Sequence, residues 1–203
     1  MDAPVTTAGE SGATTPRKGR VRNLAIMAIT AVLIAAVAFV VNQPKASAGG
    51  ITDVTLSGVA AGEAPTVGKP APDFAATTVD GRTVKLSDFK GQPVWLTFGA
   101  SWCQPCRAEN PDIKAVYEKA KAGGLEVLAV FISEDAAAVK DYADRVGLGY
   151  VKVADPDTAI ASQYRILGIP SHFFIDAEGT LQQIKIGSLD PASMEAALAG
   201  IRE

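Results

Sequence analysis

The chain has 203 residues, of which 48% are hydrophobic and 20% charged, with a net charge of −3, two cysteines and one histidine. That length suits one domain of roughly 140 residues with appendages. Residues 1–23 carry +2 and the remainder −5, so the bulk of the chain is mildly acidic without a basic stripe and has no footprint for nucleic acid. Two cysteines and one histidine cannot complete a four-ligand zinc site without another subunit, and no nucleotide, haem or other cofactor signature is legible.

Residues 1–16 mix Thr, Ala, Gly, Ser and Pro without periodicity and read as part of a disordered tail, 1–23. Leu24 to Val41 is an uncharged apolar run of 18 residues whose only hydroxyl is Thr30, long enough to cross a bilayer core as a transmembrane helix. Arg17, Lys18, Arg20 and Arg22 precede it and only Lys45 lies close on its C-terminal side. The positive-inside rule then keeps the N-terminus cytoplasmic and places the chain beyond Val41 outside. The competing reading is a cleaved signal peptide ending at Ala46-Ser47-Ala48, but signal h-regions usually span only about 7 to 15 residues, which favours the anchor. Either way the domain crosses the membrane into a compartment where disulfides persist. A dithiol acting there as a reductant needs electrons from elsewhere.

Residues 42–67 are rich in Gly, Ala and Pro and read as a linker, in which a short strand can form over Ile51 to Leu56. The folded domain is expected over 68–203. Two short strands, Phe74 to Val79 and Arg82 to Leu86, flank the hairpin dipeptide Asp80-Gly81. A helical turn over Leu86 to Gly91 leads to a buried strand, Val94 to Phe98, then to a helix from Cys103 to Ala122 that Pro111 should kink and Gly123-Gly124 should stop. Leu125 to Ile132 reads as another buried strand. Ser133 can cap a helix over Asp135 to Val146, after which Tyr150 to Val153 is strand-like and Asp157 to Tyr164 helical. His172 to Ile175 and Leu181 to Ile186 form a closing hairpin, and Asp190 caps a last helix with Pro191 at its first position. This order predicts a three-layer α/β domain with a mixed central sheet, whose sites lie at strand C-terminal ends.

Both cysteines lie in Ser101-Trp-Cys-Gln-Pro-Cys106, where the Val94 to Phe98 strand hands over to a helix. A helix N-terminus stabilises the thiolate that performs disulfide exchange, through unpaired N–H groups and the macrodipole. Cys103 is expected at that N-terminus as the attacking thiol. Cys106, one turn deeper, is expected to be better shielded and to resolve the mixed disulfide. Pro105 suits the first turn, where its missing N–H costs nothing. Two bland readings stand beside this one: a structural disulfide, which for so short a loop contributes only about 2 kcal/mol, and a pair of inert buried thiols.

These motifs resemble the thioredoxin fold and, within it, the membrane-anchored TlpA/ResA type of thiol-disulfide oxidoreductase in the wider AhpC/TSA-like superfamily. Gly68-Lys-Pro-Ala-Pro-Asp-Phe74 is similar to that family's domain start, Leu86-Ser-Asp-Phe-Lys-Gly91 to its pre-strand turn, and Trp102-Cys-Gln-Pro-Cys-Arg-Ala-Glu-Asn-Pro111 to its active site. The resemblance implies an N-terminal hairpin extension to the fold. It implies that Pro170, in Gly168-Ile169-Pro170, is cis and lies against the cysteines, leaving the Ile169 backbone to pair with an extended substrate. Trp102 could offer partners an apolar contact. Glu109 matches a glutamate that such proteins use to tune proton transfer at the thiols, and its i+3 spacing puts it on the face of Cys106. Thr97 is a departure, since thioredoxin has a buried Asp six residues before its first cysteine. That departure makes Glu109 the better acid–base candidate. The sole histidine, His172, reads as structural or exposed.

The function implied is reduction of disulfides in exported proteins, apocytochrome c among them, with electrons from a membrane protein. Gln104-Pro105 contains no His or cation to stabilise the thiolate further, which argues for reduction over oxidation. A thiol peroxidase is the alternative, weakened by Ala100 where such enzymes need Thr or Ser. A non-enzymatic binding module with a structural disulfide is the third reading.

Overall fold

A computed structural model of the chain describes residues 23, 26–35, 50–59 and 62–202. Residues 26–35 are helical with exposed side chains. The rest of the expected span 24–41, the tail 1–22 and the Ala46-Ser47-Ala48 site lie outside the described residues. Among the described residues no helix is long and apolar enough to cross a membrane.

From residue 50 onward the elements are β1 (Thr52–Asp53), β2 (Ala75–Thr77), β3 (Thr83–Lys85), β4 (Val94–Gly99), α1 (Gln104–Ala120), β5 (Glu126–Ile132), α2 (Ala136–Val146) and β6 (Val151–Asp155). They continue as α3 (Ala159–Gln163), β7 (Gly168–Ile169), β8 (Ser171–Ile175), β9 (Leu181–Ile186) and α4 (Pro191–Ala199). Five strands form one sheet in the order β6-β5-β4-β8-β9. β4, β5 and β6 run parallel, while β8 and β9 are antiparallel to their neighbours, so the sheet is mixed as expected. The apolar runs of β4 and β5 are buried on both faces, as central strands of a covered sheet must be.

Alternation along β4 separates two cores. Val94, Leu96 and Phe98 face a core shared with α3 and the β2–β3 hairpin. Trp95 faces the other, filled by Ile113 and Val116 of α1, Val139 of α2, and Met194 and Leu198 of α4. The three expected layers result. The β2–β3 hairpin turns at Gly81 (φ 85°), where a left-handed backbone favours glycine, and Val79 N–H ties it to Lys152 O at 3.0 Å.

Several boundaries differ from expectation for local reasons. Ser133 has φ 56° and does not cap α2; Asp135 does, its carboxylate accepting from Ala138 N–H at 2.8 Å. α3 starts at Ala159 because the carboxylate of Asp155, at the end of β6, accepts from Ile160 N–H (3.2 Å) and Ala161 N–H (2.9 Å). α1 runs through Pro111 to Ala120 and tightens into a 3₁₀ turn over Lys121–Gly123, before Gly124 in a left-handed conformation.

Residues 50–59, within the segment read as a linker, run along the domain. Thr52 lies opposite Ile169 and Asp53 opposite Gly168, and Val54 N–H donates to Leu167 O at 3.2 Å. The Thr158 hydroxyl accepts from Ser57 N–H (2.8 Å) and Gly58 N–H (3.0 Å).

Candidate active site

β4 ends in the sheet centre, and the chain turns through Ala100-Ser101-Trp102 into α1. Glu134, just past the end of β5, holds that turn: its carboxylate accepts from Ser101 N–H at 2.7 Å and from the Ser101 hydroxyl. Cys103 is the N-cap of α1 in extended conformation, and its sulfur accepts from Cys106 N–H at 3.2 Å. A thiolate there would meet the same unpaired N–H groups. Pro105 sits in the first turn. Cys103 and Cys106 are joined in a disulfide, with Cα atoms 5.3 Å apart.

One expectation is reversed in this oxidised form. Cys103 is 1% exposed and Cys106 5%, so the attacking residue is no more exposed than the resolving one. The difference between them is position at the helix end. Trp102, beside Cys103, is 46% exposed and presents apolar surface at the rim of the site.

The Ile169–Pro170 peptide bond is cis, and Cys103 Sγ lies 3.9 Å from Ile169 O. The resemblance therefore places this loop correctly. The backbone edge of Ile169, however, is not open to a substrate, because β1 is already paired with it. Hydrogen-bonded pairs alternate along an antiparallel ladder. With Val54 bonded to Leu167, the next bonded pair is Thr52 with Ile169. Gly168 permits this approach, since a Cβ there would lie 2.5 Å from Ile51 Cδ1.

Glu109 projects inward from the second turn of α1 and is buried at 3% exposure, so it is not a solvated helix carboxylate. Its Oε1 accepts from Leu189 N–H at 2.9 Å. A cavity of about 20 Å³ is lined by Thr97, Cys106, Glu109, Asn110 and Pro170 among others, and is large enough for one water molecule. Cys106 and Glu109 thus line one small cavity, whose remaining walls include the apolar Phe98, Ile113, Val130 and Phe131. Asn110 ties the helix to its neighbours, donating to Tyr142 Oη at 2.7 Å and accepting from Tyr150 Oη–H at 3.3 Å. Burial first, then the neighbouring Tyr142 and Glu109, push the Tyr150 hydroxyl well above the ordinary tyrosine range.

His172 was expected to be structural or exposed; it is fully buried and touches Glu109, with Nε2 3.3 Å from Oε1. Neither His172 nor Glu134 stood out as a site residue in sequence. The only available signal for His172 was its place two residues past Pro170 on a strand, which puts it directly opposite Thr97.

A mixed α/β sheet with a redox-active disulfide spacing at a helix N-terminus, lying against a cis-proline, defines a dithiol–disulfide oxidoreductase of the thioredoxin type. The chain belongs to the AhpC/TSA family, whose model matches residues 67–184. A thiol-disulfide oxidoreductase ResA of Geobacillus kaustophilus is 35% identical over 136 residues, covering 67% of this chain and 78% of that protein. A second, from Bacillus thuringiensis, is 33% identical over 135 residues, covering 66% and 78%. Among solved structures, a thiol:disulfide interchange protein of the thioredoxin family from Chlorobium tepidum matches at TM-score 0.61 and 28% identity, over 70% of this chain and 100% of that one.

Proposed function

We propose that this oxidoreductase works outside the cytoplasm, tethered by the apolar run 24–41, and reduces disulfides in exported proteins. The observation that carries the reading is the pairing of a helix-end Cys103 with a buried carboxylate beside Cys106. In the reduced protein the Cys103 thiolate attacks a substrate disulfide. One substrate sulfur bonds to Cys103 and the other leaves as a thiolate. Cys106 then gives its proton to Glu109 and attacks Cys103 Sγ, closing the disulfide seen here and releasing the second substrate sulfur. Two electrons have passed to the substrate, and a membrane dithiol donor returns them. Trp102 and the backbone of Ile169, next to Pro170, receive the polypeptide around the substrate disulfide. Because β1 holds the Ile169 edge, a substrate that adds as a strand there must first displace it. Apocytochrome c, with its own paired thiols, fits as one such substrate.

Two measurements test this reading. Cys106→Ala should accumulate mixed disulfides through Cys103 in cells, and those adducts identify the substrate. Equilibrating the protein with glutathione buffers should return a potential nearer thioredoxin at about −270 mV than the strong oxidants at about −120 mV. An absence of adducts, or a potential close to the oxidising value, overturns the assignment.

A further inference from the structure

His172 has no place in the exchange steps above, yet it lies on β8 at 0% exposure against the acid–base group. Three polar groups surround its ring. On one side Trp95 Nε1–H donates to Nδ1 at 3.3 Å, and the Thr97 hydroxyl lies 3.0 Å from the same nitrogen. On the other side Nε2 faces Glu109 Oε1. An indole N–H can only donate, so Nδ1 must accept. In the neutral ring the proton then resides on Nε2, the nitrogen 3.3 Å from Glu109 Oε1.

The carboxylate is divided in the same way. Oε1 is held by Leu189 N–H and approached by His172, whereas Oε2 is buried without a protein hydrogen-bond partner. His172 Nε2 is also unpartnered, because its 3.3 Å contact is not aligned as a hydrogen bond in this oxidised form. Glu109 therefore keeps one oxygen without a protein partner while His172 Nε2 stands 3.3 Å from the other.

We propose that His172 is a positioning residue for Glu109. Trp95 selects the tautomer, and the resulting Nε2–H favours the carboxylate form of Glu109, ready to take the Cys106 proton. In that step the proton moves from Cys106 Sγ to Glu109. The thiolate's electron pair forms the Cys103–Cys106 bond, the bond from Cys103 to the substrate sulfur breaks, and the substrate leaves as a thiolate that solvent protonates. The other titratable groups around the pair are Lys185, opposite His172 on β9 and exposed, and Tyr142 and Tyr150, linked to α1 through Asn110. The inference rests on the reading of Glu109 as the proton acceptor.

The test is the pH dependence of resolution in the full chain, starting from a mixed disulfide between Cys103 and a peptide thiol. In the native protein the rate should fall on the acid side as Glu109 takes up a proton. His172→Asn keeps an acceptor for Trp95 but has no group at the Nε2 position, so the acid limb should move up by about one pH unit, reflecting a lost donor to the carboxylate. His172→Gln, whose amide reaches further, should bring the limb back toward the native position. If the Asn protein does not fold, His172→Leu should show the same upward shift. An unmoved limb in whichever of these two folds, with Glu109→Gln abolishing that limb, overturns the role of His172 alone. A limb that survives Glu109→Gln overturns the Glu109 reading and this inference with it.

Discussion

β1 sets a threshold for any protein substrate that docks by strand addition at Ile169. Replacing Thr52 and Val54 with proline removes the two N–H groups directed at that edge, one seen donating to Leu167 O at 3.2 Å and the other assigned by the register with Ile169. Net values of about 0.5–1.5 kcal/mol per hydrogen bond make the combined loss about 1–3 kcal/mol. The population with a free edge should then rise roughly 5- to 150-fold. The apparent affinity for a strand-forming substrate rises by the same factor until the open form predominates. Gly168→Ala perturbs the contact differently, because its Cβ would lie 2.5 Å from Ile51 Cδ1 and 2.7 Å from Cγ1. It should force the exposed Ile51 side chain aside without deleting a donor, and so loosen β1 less than the proline pair does. The assay compares reduction rates for a disulfide-bonded protein and for a small aromatic disulfide, which needs access to Cys103 but no strand edge. The protein substrate should gain much more than the small one. Equal gains would show that residues 50–54 merely cover the sulfur, and no gain would refute the reasoning.

Buried polar groups lead to two more expected outcomes. Burial raises the hydroxyls of Tyr150 and Tyr164 above the ordinary value of 10, so the folded state binds those protons more tightly than the unfolded chain. That stability is complete below about pH 10 and is lost as pH climbs beyond it. Urea midpoints should fall above that pH, and the double Tyr150→Phe, Tyr164→Phe protein should show a shallower fall; an equal slope would refute the assignment. Asp155→Ala should lower stability by about 2–4 kcal/mol, since it strips the acceptor from two buried N–H groups at the start of α3. Asp155→Asn retains an acceptor and should lose less. Urea denaturation checks both, and a loss under about 1 kcal/mol for the Ala protein would show that the two groups find other partners.

Much of this architecture was legible because its causes are local. The apolar run Val94 to Phe98 followed by two cysteines three apart needs only neighbouring residues to make a strand, a turn and a capped helix. The same holds for the Asp80-Gly81 hairpin and for Pro191 after Asp190 at the start of α4. Where the expected cap was Ser133, the side chain able to reach Ala138 N–H, that of Asp135, took the position instead.

The chain by itself thus determined the redox pair, the order of strands and helices, and the family to which it belongs, since turn residues, periodicity and capping act within a few positions. Only the tertiary structure could set Thr97 opposite His172, turn His172 toward Glu109, fasten Ser101 to Glu134 and lay Thr52 against Ile169. Those contacts depend on sheet register and on which face each strand presents. A shift of one residue would reverse every facing side chain, and nothing near these residues in sequence records that choice.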